Sequence, residues 1–442
     1  MASSSASASV RTARRTHGFT ESVIREMTRV AQVHGALNLA QGFPDFPAPD
    51  VLKAAACQAI MADVNQYAIT WGTPRYRRAL ADAYARFYGM EVDEAREITV
   101  TCGATEAMAA ALLAVVDPGD EVIVFEPFYE NYGPDAILCG AKPVWVPLDM
   151  TRGGAGEAGL RFELDLDRLA AAFSERTRAI VLNTPNNPTG KVFSRAELEA
   201  IAELCRRHDA IAFTDEIYEH ILYEGEHLPL ATLDGMRERT VTVSGASKTF
   251  SVTGWRIGTI VAPPDLTAAI RKVHDFLPVG APAPLQEACA VALDGLGDEY
   301  YRGLARDYAE RREVLYEGLV AAGFRCARPA GAYYILADFS DLSDLDDVTF
   351  AKRLAAGDLA VEAGAGGGEA ARGVGPGTGG GEAAGASGFH GDHARGGVAS
   401  VPGSSFFHRP GDGARLTRFA FCKQLDTLRA ASARLQEITR GA

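Results

Sequence analysis

The chain has 442 residues, is 47% hydrophobic and 23% charged, and carries a formal net charge of −13. That length holds two or three domains with ample core, and the acidic balance excludes a sequence-independent grip on nucleic acid, which needs clustered Lys and Arg. No apolar run reaches the roughly 20 residues of a membrane-spanning helix. The seven scattered cysteines form no CxxC and the nine histidines no HxxxH. They argue against a disulfide frame or a metal site, and for free thiols in a reducing, cytoplasmic compartment.

The first residues are rich in Ser and Ala, with Arg11, Arg14 and Arg15 and no acid before Glu21. Organellar transit peptides share this composition; a disordered tail over residues 1–18 is the simpler expectation. Residues 20–33 set Val23, Ile24, Met27 and Val30 at helical spacing. The next stretch, Leu37-Asn-Leu-Ala-Gln-Gly-Phe-Pro-Asp-Phe-Pro-Ala-Pro49, has too many turn formers for a helix. Its Phe43 and Phe46 are unlike a solvated linker, and Gly42 lets a ligand approach the backbone closely. Asp50 is expected to cap a helix over residues 50–62. Another helix is expected over 74–88.

A short strand at 97–101 runs into Cys102-Gly-Ala-Thr-Glu106 and an Ala-rich helix. Free N–H groups at that helix start, with Thr105 beside them, make an anion site. Many helices begin this way, so the segment alone is weak evidence. Further strands are expected at 121–125, 141–147, 178–182, 210–214, 240–243 and 257–262, most of them separated by helices. Ser194 and Glu197 have the spacing of a capping box. The alternation predicts an α/β fold with a mostly parallel sheet covered on both faces. Functional groups then belong at the carboxyl ends of strands. Gly103, Tyr129, Asn187, Asp215, Tyr218 and Lys248 all stand just past predicted strand ends.

Lys248 lies among small and apolar residues, with no other charge until Arg256. Desolvation there favours the neutral, nucleophilic amine. A solvated loop lysine is the plainer reading of a lone Ser-Lys pair, and each of the other positions alone reads as a cap or turn. Together they meet the needs of an aromatic aldehyde with a phosphate arm and a ring nitrogen. Lys248 bonds the aldehyde. Gly103, Ala104, Thr105 and Arg256 face the phosphate, and Asp215 faces the ring nitrogen. Asn187 and Tyr218 serve the ring oxygen, and Tyr129 the ring face. That cofactor is pyridoxal 5′-phosphate, whose protonated ring is an electron sink.

With these residues in place, the chain resembles the class I/II aminotransferases of pyridoxal-phosphate fold type I. The nearest branch holds kynurenine, glutamine, methionine and aspartate aminotransferases. The resemblance covers residues 20–354 and resumes near Val398. Four motifs carry it: Asn38-Leu-Ala-Gln-Gly-Phe-Pro-Asp-Phe46, Asn187-Pro-Thr-Gly190, Asp215-Glu-Ile-Tyr218, and Ser247-Lys-Thr-Phe-Ser-Val-Thr-Gly-Trp-Arg-Ile-Gly258. It implies a mostly parallel seven-stranded sheet in a large domain (48–298), and a smaller α+β domain (299–442) that residues 19–47 join. It further implies that Lys248 bonds the cofactor and shuttles a proton, and that Gly42, Asn187 and Arg418 bind the substrate carboxylate. Tyr67 is implied to reach the phosphate of the other subunit of a homodimer, and the region around residues 271–280 to contact the partner's site. Many relatives have Ser three residues before the lysine, where Gly245 stands here, so Ser244 or Ser247 must supply that phosphate contact.

The reaction implied is ping-pong transfer of an α-amino group to a 2-oxo acid. Phe43, Tyr67, Trp71, Tyr129 and Phe276 suggest a pocket for apolar or aromatic side chains; glutamine, methionine and aspartate are alternatives. A β-lyase would share every cofactor residue. A non-catalytic interaction protein on the same fold is disfavoured by an intact Lys248, Asp215 and Arg418. Residues 357–397 are Gly-rich with almost no large apolar side chain, and a flexible insert is expected there.

Overall fold

The computed structural model describes residues 12–152, 159–359 and 396–441. Seven strands form the main sheet: β1 (Ile98–Thr101), β2 (Glu121–Glu126), β3 (Lys142–Pro147), β4 (Thr177–Asn183), β5 (Ile211–Asp215), β6 (Thr240–Gly245) and β7 (Gly258–Val261). Their order is β1-β7-β6-β5-β4-β2-β3. Only β7 runs against its neighbours; the other pairs are parallel. The expected α/β architecture is therefore present, with the expected strand count.

Strand pleating explains the apolar runs. In β2, Val122 and Val124 join Val181, Phe213 and Val243 in one core. Ile123 and Phe125 join Ile180, Leu182 and Ala212 in the core on the opposite face. Adjacent residues point to opposite faces, and both faces are covered, so apolar side chains follow one another without alternation. Each of the Val, Ile, Leu and Phe side chains contributes about 1.5–3 kcal/mol on burial.

A second, antiparallel sheet holds β8 (Arg325–Cys326), β9 (Tyr334–Asp338), β10 (Val401–Pro402) and β11 (Leu416–Ala420), in the order β8-β9-β11-β10. The helix Asp298–Ala321 packs on the helix Leu425–Arg440 beside it. Leu37 and Asn38 pair in parallel with Val398 and Ala399. The N–H of Ala420 then donates to Leu39 O at 2.8 Å. These contacts hold the 39–43 segment beside β11.

Most expected helices form within a few residues of their predicted limits. Pro74–Tyr88 matches in full, and the Ser194–Glu197 capping box is made in both directions. Asp50 differs: it is the first helical residue, Pro49 is the cap, and the Asp50 carboxylate instead meets Lys53 at 2.7 Å. Residues 14–17, expected in a disordered tail, form a 3-10 turn. Residues 1–11 and most of the Gly-rich insert, 360–395, lie outside the described residues. Among the described residues, no helix is long and apolar enough to cross a membrane.

Candidate active site

A cavity of about 510 Å³ opens at the carboxyl ends of the main-sheet strands, with β9 and β11 contributing Tyr334 and Arg418 to its wall. Eleven predicted positions line it: Gly42, Ala104, Thr105, Tyr129, Asn187, Asp215, Tyr218, Ser247, Lys248, Arg256 and Arg418. Three do not. Gly103 is not among the lining residues, Ser244 turns to Glu219, and Tyr67 is 90% exposed.

Lys248 is carried by a one-turn helix, Ala246–Thr249, directly after β6. Its Nζ donates to Gly42 O at 3.4 Å and lies 5.8 and 5.5 Å from the Tyr218 and Tyr333 ring centroids. Burial against these groups pulls its pKa down to about 8; Cys422 and Asp215 oppose the shift, and Arg256 and Arg418 add to it. The amine is therefore half neutral near pH 8, where an ordinary lysine is almost wholly charged.

Asp215 ends β5 and is 7% exposed. Burial raises its pKa; the Tyr132 hydroxyl, the Ile217 N–H and the charge of Lys248 act against that rise. Tyr132 donates to Oδ2 at 2.7 Å and Ile217 N–H to Oδ1 at 3.2 Å. Asn183 braces two predicted residues at once. Its Nδ2 donates to Asp215 O at 2.9 Å, and its Oδ1 accepts the Asn187 N–H at 2.7 Å.

Arg418 is 1% exposed. Nη1 donates to Asn187 Oδ1 at 2.8 Å and Nη2 to Ala40 O at 2.7 Å. Its guanidinium lies 4.3 Å from the Tyr334 ring centroid and 5.0 Å from that of Phe406. Nε has no hydrogen-bond partner among the described residues. A buried guanidinium facing a cavity with a donor to spare is suited to a carboxylate.

The anion end is built by close backbone approach. Gly103 has φ +84°, a backbone conformation that favours glycine, and the Arg256 guanidinium occupies the space a Cβ there would take. The N–H groups of Ala104 and Thr105 begin the helix Ala104–Val115 and have no intrahelical acceptor. Arg256 Nη1 donates to Thr253 O at 3.0 Å.

Gly245 and the two serines beside it are resolved by packing. A Cβ on Gly245 would lie 2.6 Å from Ile257 O, which leaves no room for a serine. Ser247 lines the cavity. Ser244 is corrected: its hydroxyl donates to Glu219 Oε1 at 2.5 Å, away from the cavity. The apolar pocket is also reduced. Phe43 and Tyr129 line the cavity, whereas Trp71 lies under the Arg271 guanidinium and Phe276 is 89% exposed.

Four contributors were missed in the sequence: Tyr132, Asn183, Tyr333 and Tyr334. Tyr218 and Tyr334 share a hydrogen bond of 3.0 Å between their hydroxyls, and Tyr333 donates to Gly42 O at 2.8 Å. Asn183 carried a signal, as the polar last residue of an apolar strand run; the tyrosines carried none.

The fold and this site define a pyridoxal-phosphate-dependent aminotransferase of fold type I. The family model described as aminotransferase class I and II matches residues 35–365, and the chain belongs to that family. It transfers amino groups between amino acids and 2-oxo acids. A probable N-succinyldiaminopimelate aminotransferase, DapC, of Mycobacterium tuberculosis is 39% identical, over 96% of this chain and 98% of that protein. Human kynurenine–oxoglutarate transaminase 1 is 38% identical over 74% of this chain and 81% of its own length. The solved N-succinyldiaminopimelate aminotransferase of M. tuberculosis superposes with a TM-score of 0.84 at 38% identity, covering 97% of this chain and all of that one. The structure of YbdL from Escherichia coli, described as having a methionine aminotransferase function, gives 0.82 at 33% identity, with 97% and 100% coverage.

Proposed function

We propose that pyridoxal phosphate is held by Lys248, Asp215, Asn187, Tyr218, Tyr129 and the Gly103-Ala104-Thr105 turn with Ser247 and Arg256. The donor set suits the group. A cation-lined end with free N–H groups suits a phosphate, and a buried carboxylate suits a protonated ring nitrogen. When bound, the cofactor supplies an electron sink for a substrate carbanion. Lys248 then carries the proton removed from the substrate Cα. Asp215 keeps the ring nitrogen protonated. Arg418, oriented by Asn187 and Ala40 O, grips the α-carboxylate, with Gly42 beside it.

The observation that carries this reading is Arg418 and Lys248 on the wall of one cavity, with Lys248 held at Gly42 O and Arg418 at Asn187 Oδ1. The active unit is a homodimer, in which the exposed Tyr67 reaches the partner's phosphate site and the exposed Phe276 lies near the partner's cavity. Donor amino acids have apolar, aromatic, glutamine- or methionine-like side chains, or aspartate's. Phe43 and Tyr129 in the wall support the apolar members of that range. Seven free thiols fit a reducing, cytoplasmic setting.

The test is a visible spectrum of the purified protein loaded with pyridoxal phosphate, before and after a panel of amino acids. Loss of the lysine-bound cofactor band with a matched donor, and its return with a 2-oxo acid, is the expected result. A band that no member of the panel alters would overturn the donor range. Absence of any band would overturn the cofactor site.

Two serine variants check the phosphate end. Ser247→Ala is expected to weaken cofactor binding by roughly 10-fold or more, the worth of one hydrogen bond to a charged group. Ser244→Ala is expected to leave cofactor affinity within about twofold and to lower stability by about 1–3 kcal/mol, because Glu219 loses one of its two side-chain donors and keeps only the Tyr88 hydroxyl. Equilibrium titration and denaturant melts separate the two.

A further inference from the structure

We propose that Tyr132 is a positioning residue for the reaction: its phenol holds the Asp215 carboxylate ionised and aimed at the cofactor's ring nitrogen. This rests on the assignment of Asp215 made above and adds the residue through which that carboxylate is controlled.

A buried carboxylate is held ionised only by donors or positive charge close to it. Asp215 ends a strand in which every residue is buried. Its main chain is fixed from one side, where its carbonyl accepts from Asn183 Nδ2 at 2.9 Å and Thr184 N–H at 3.1 Å. The carboxylate itself receives two hydrogen bonds. One comes from the Ile217 N–H, at 3.2 Å. The other, from the Tyr132 hydroxyl, is the shorter at 2.7 Å and is the one made by a side chain.

Tyr132 is held in place to make that bond. It opens the helix Tyr132–Leu138 and is 3% exposed. Its ring meets the edge of Tyr129 at a centroid distance of 5.7 Å and 76° between planes. Burial raises its phenol pKa well above the ordinary value, so the proton stays on the oxygen and the group remains a donor. Tyr132 also reaches the cavity wall. A hydroxyl with this geometry favours the ionised acid and, with the Ile217 N–H on the other oxygen, fixes the plane of the carboxylate. The ring nitrogen's proton is then held by a carboxylate whose charge does not depend on the substrate.

Tyr132→Phe removes one oxygen and keeps the ring packing. In the cofactor-loaded enzyme, single-turnover conversion of the visible band by a saturating amino donor is expected to slow by roughly 10- to 100-fold, the worth of a hydrogen bond to a charged group. The cofactor dissociation constant should rise several-fold, and donor KM should stay within about twofold, since Arg418 and Asn187 are untouched. Asp215→Asn should be the slower single variant. The double variant should be no slower than Asp215→Asn alone, because the phenol has no carboxylate left to hold. Reconstitution with N-methyl pyridoxal phosphate, whose ring charge is permanent, gives a second check. The ratio between wild type and Tyr132→Phe should then shrink towards one. A Tyr132→Phe enzyme at the wild-type rate overturns the proposal, as does the same fold-loss in both the native and the Asp215→Asn backgrounds. An Asp215→Asn enzyme with wild-type rate and cofactor affinity overturns instead the assignment on which it rests.

Discussion

Replacing Lys248 with alanine is expected to lower the turnover number by about 1000-fold or more, while leaving the fold intact. Two functions leave together. In the proposed assignment the amine is the nucleophile for the cofactor aldehyde and the base that moves the Cα proton, and general acid–base transfer alone contributes about 10²–10⁴. The visible band of the lysine-bound cofactor should vanish, and slow residual turnover in added ethylamine would show that only the amine is missing. Retention of more than a tenth of the activity would remove Lys248 from the mechanism. The pH dependence has a defined sign. Burial lowers the lysine pKa to about 8, so the neutral amine is scarce below that pH and dominant above it. Cofactor capture by the apoprotein should therefore speed up as pH rises and level off above about pH 8. A rate still climbing at pH 10 would mean that the amine is solvated like an ordinary lysine.

Arg418→Ala carries the second large effect. The guanidinium is buried, its two Nη donors are fixed by Asn187 and Ala40 O, and aromatic rings lie on it. Removing one member of a buried charge pair costs about 2–5 kcal/mol. That corresponds to a fall in kcat/KM of about 30- to 5000-fold for any α-amino acid. Cofactor spectrum and affinity should stay near wild type, because the proposal assigns Arg418 to the substrate carboxylate and not to the cofactor. Arg418→Lys is not a conservative change: a point charge cannot keep both anchors and also present a planar fork. It should still lose about 10-fold or more. If both variants keep wild-type kcat/KM, the carboxylate is bound elsewhere.

Much of the site was legible in the sequence because it depends on local chain chemistry. Lys248, Asp215, Asn187 and Tyr129 were legible because each follows a run that could only be a buried strand, and in parallel sheets those ends face one crevice. What the sequence withheld depends on which way a side chain turns. Ser244 and Ser247 are three residues apart and chemically alike. The pleat of β6 sends Ser244 towards Glu219, and the turn after it brings Ser247 to the cavity. Trp71 was expected in the substrate pocket on residue type alone, but packs under Arg271 instead.

By itself the sequence determined the seven strands, most of the helix limits and the residue types at the strand ends, since periodicity, caps and turn formers act over a few neighbours. Only the tertiary structure decided the partners. Leu37 and Asn38 pair with Val398 and Ala399 from the other end of the chain. Arg418 meets Asn187 from a different sheet, and Tyr132 meets Asp215 across the crevice. Such contacts depend on loop closure and on competition for one buried space, which no local window of residues encodes.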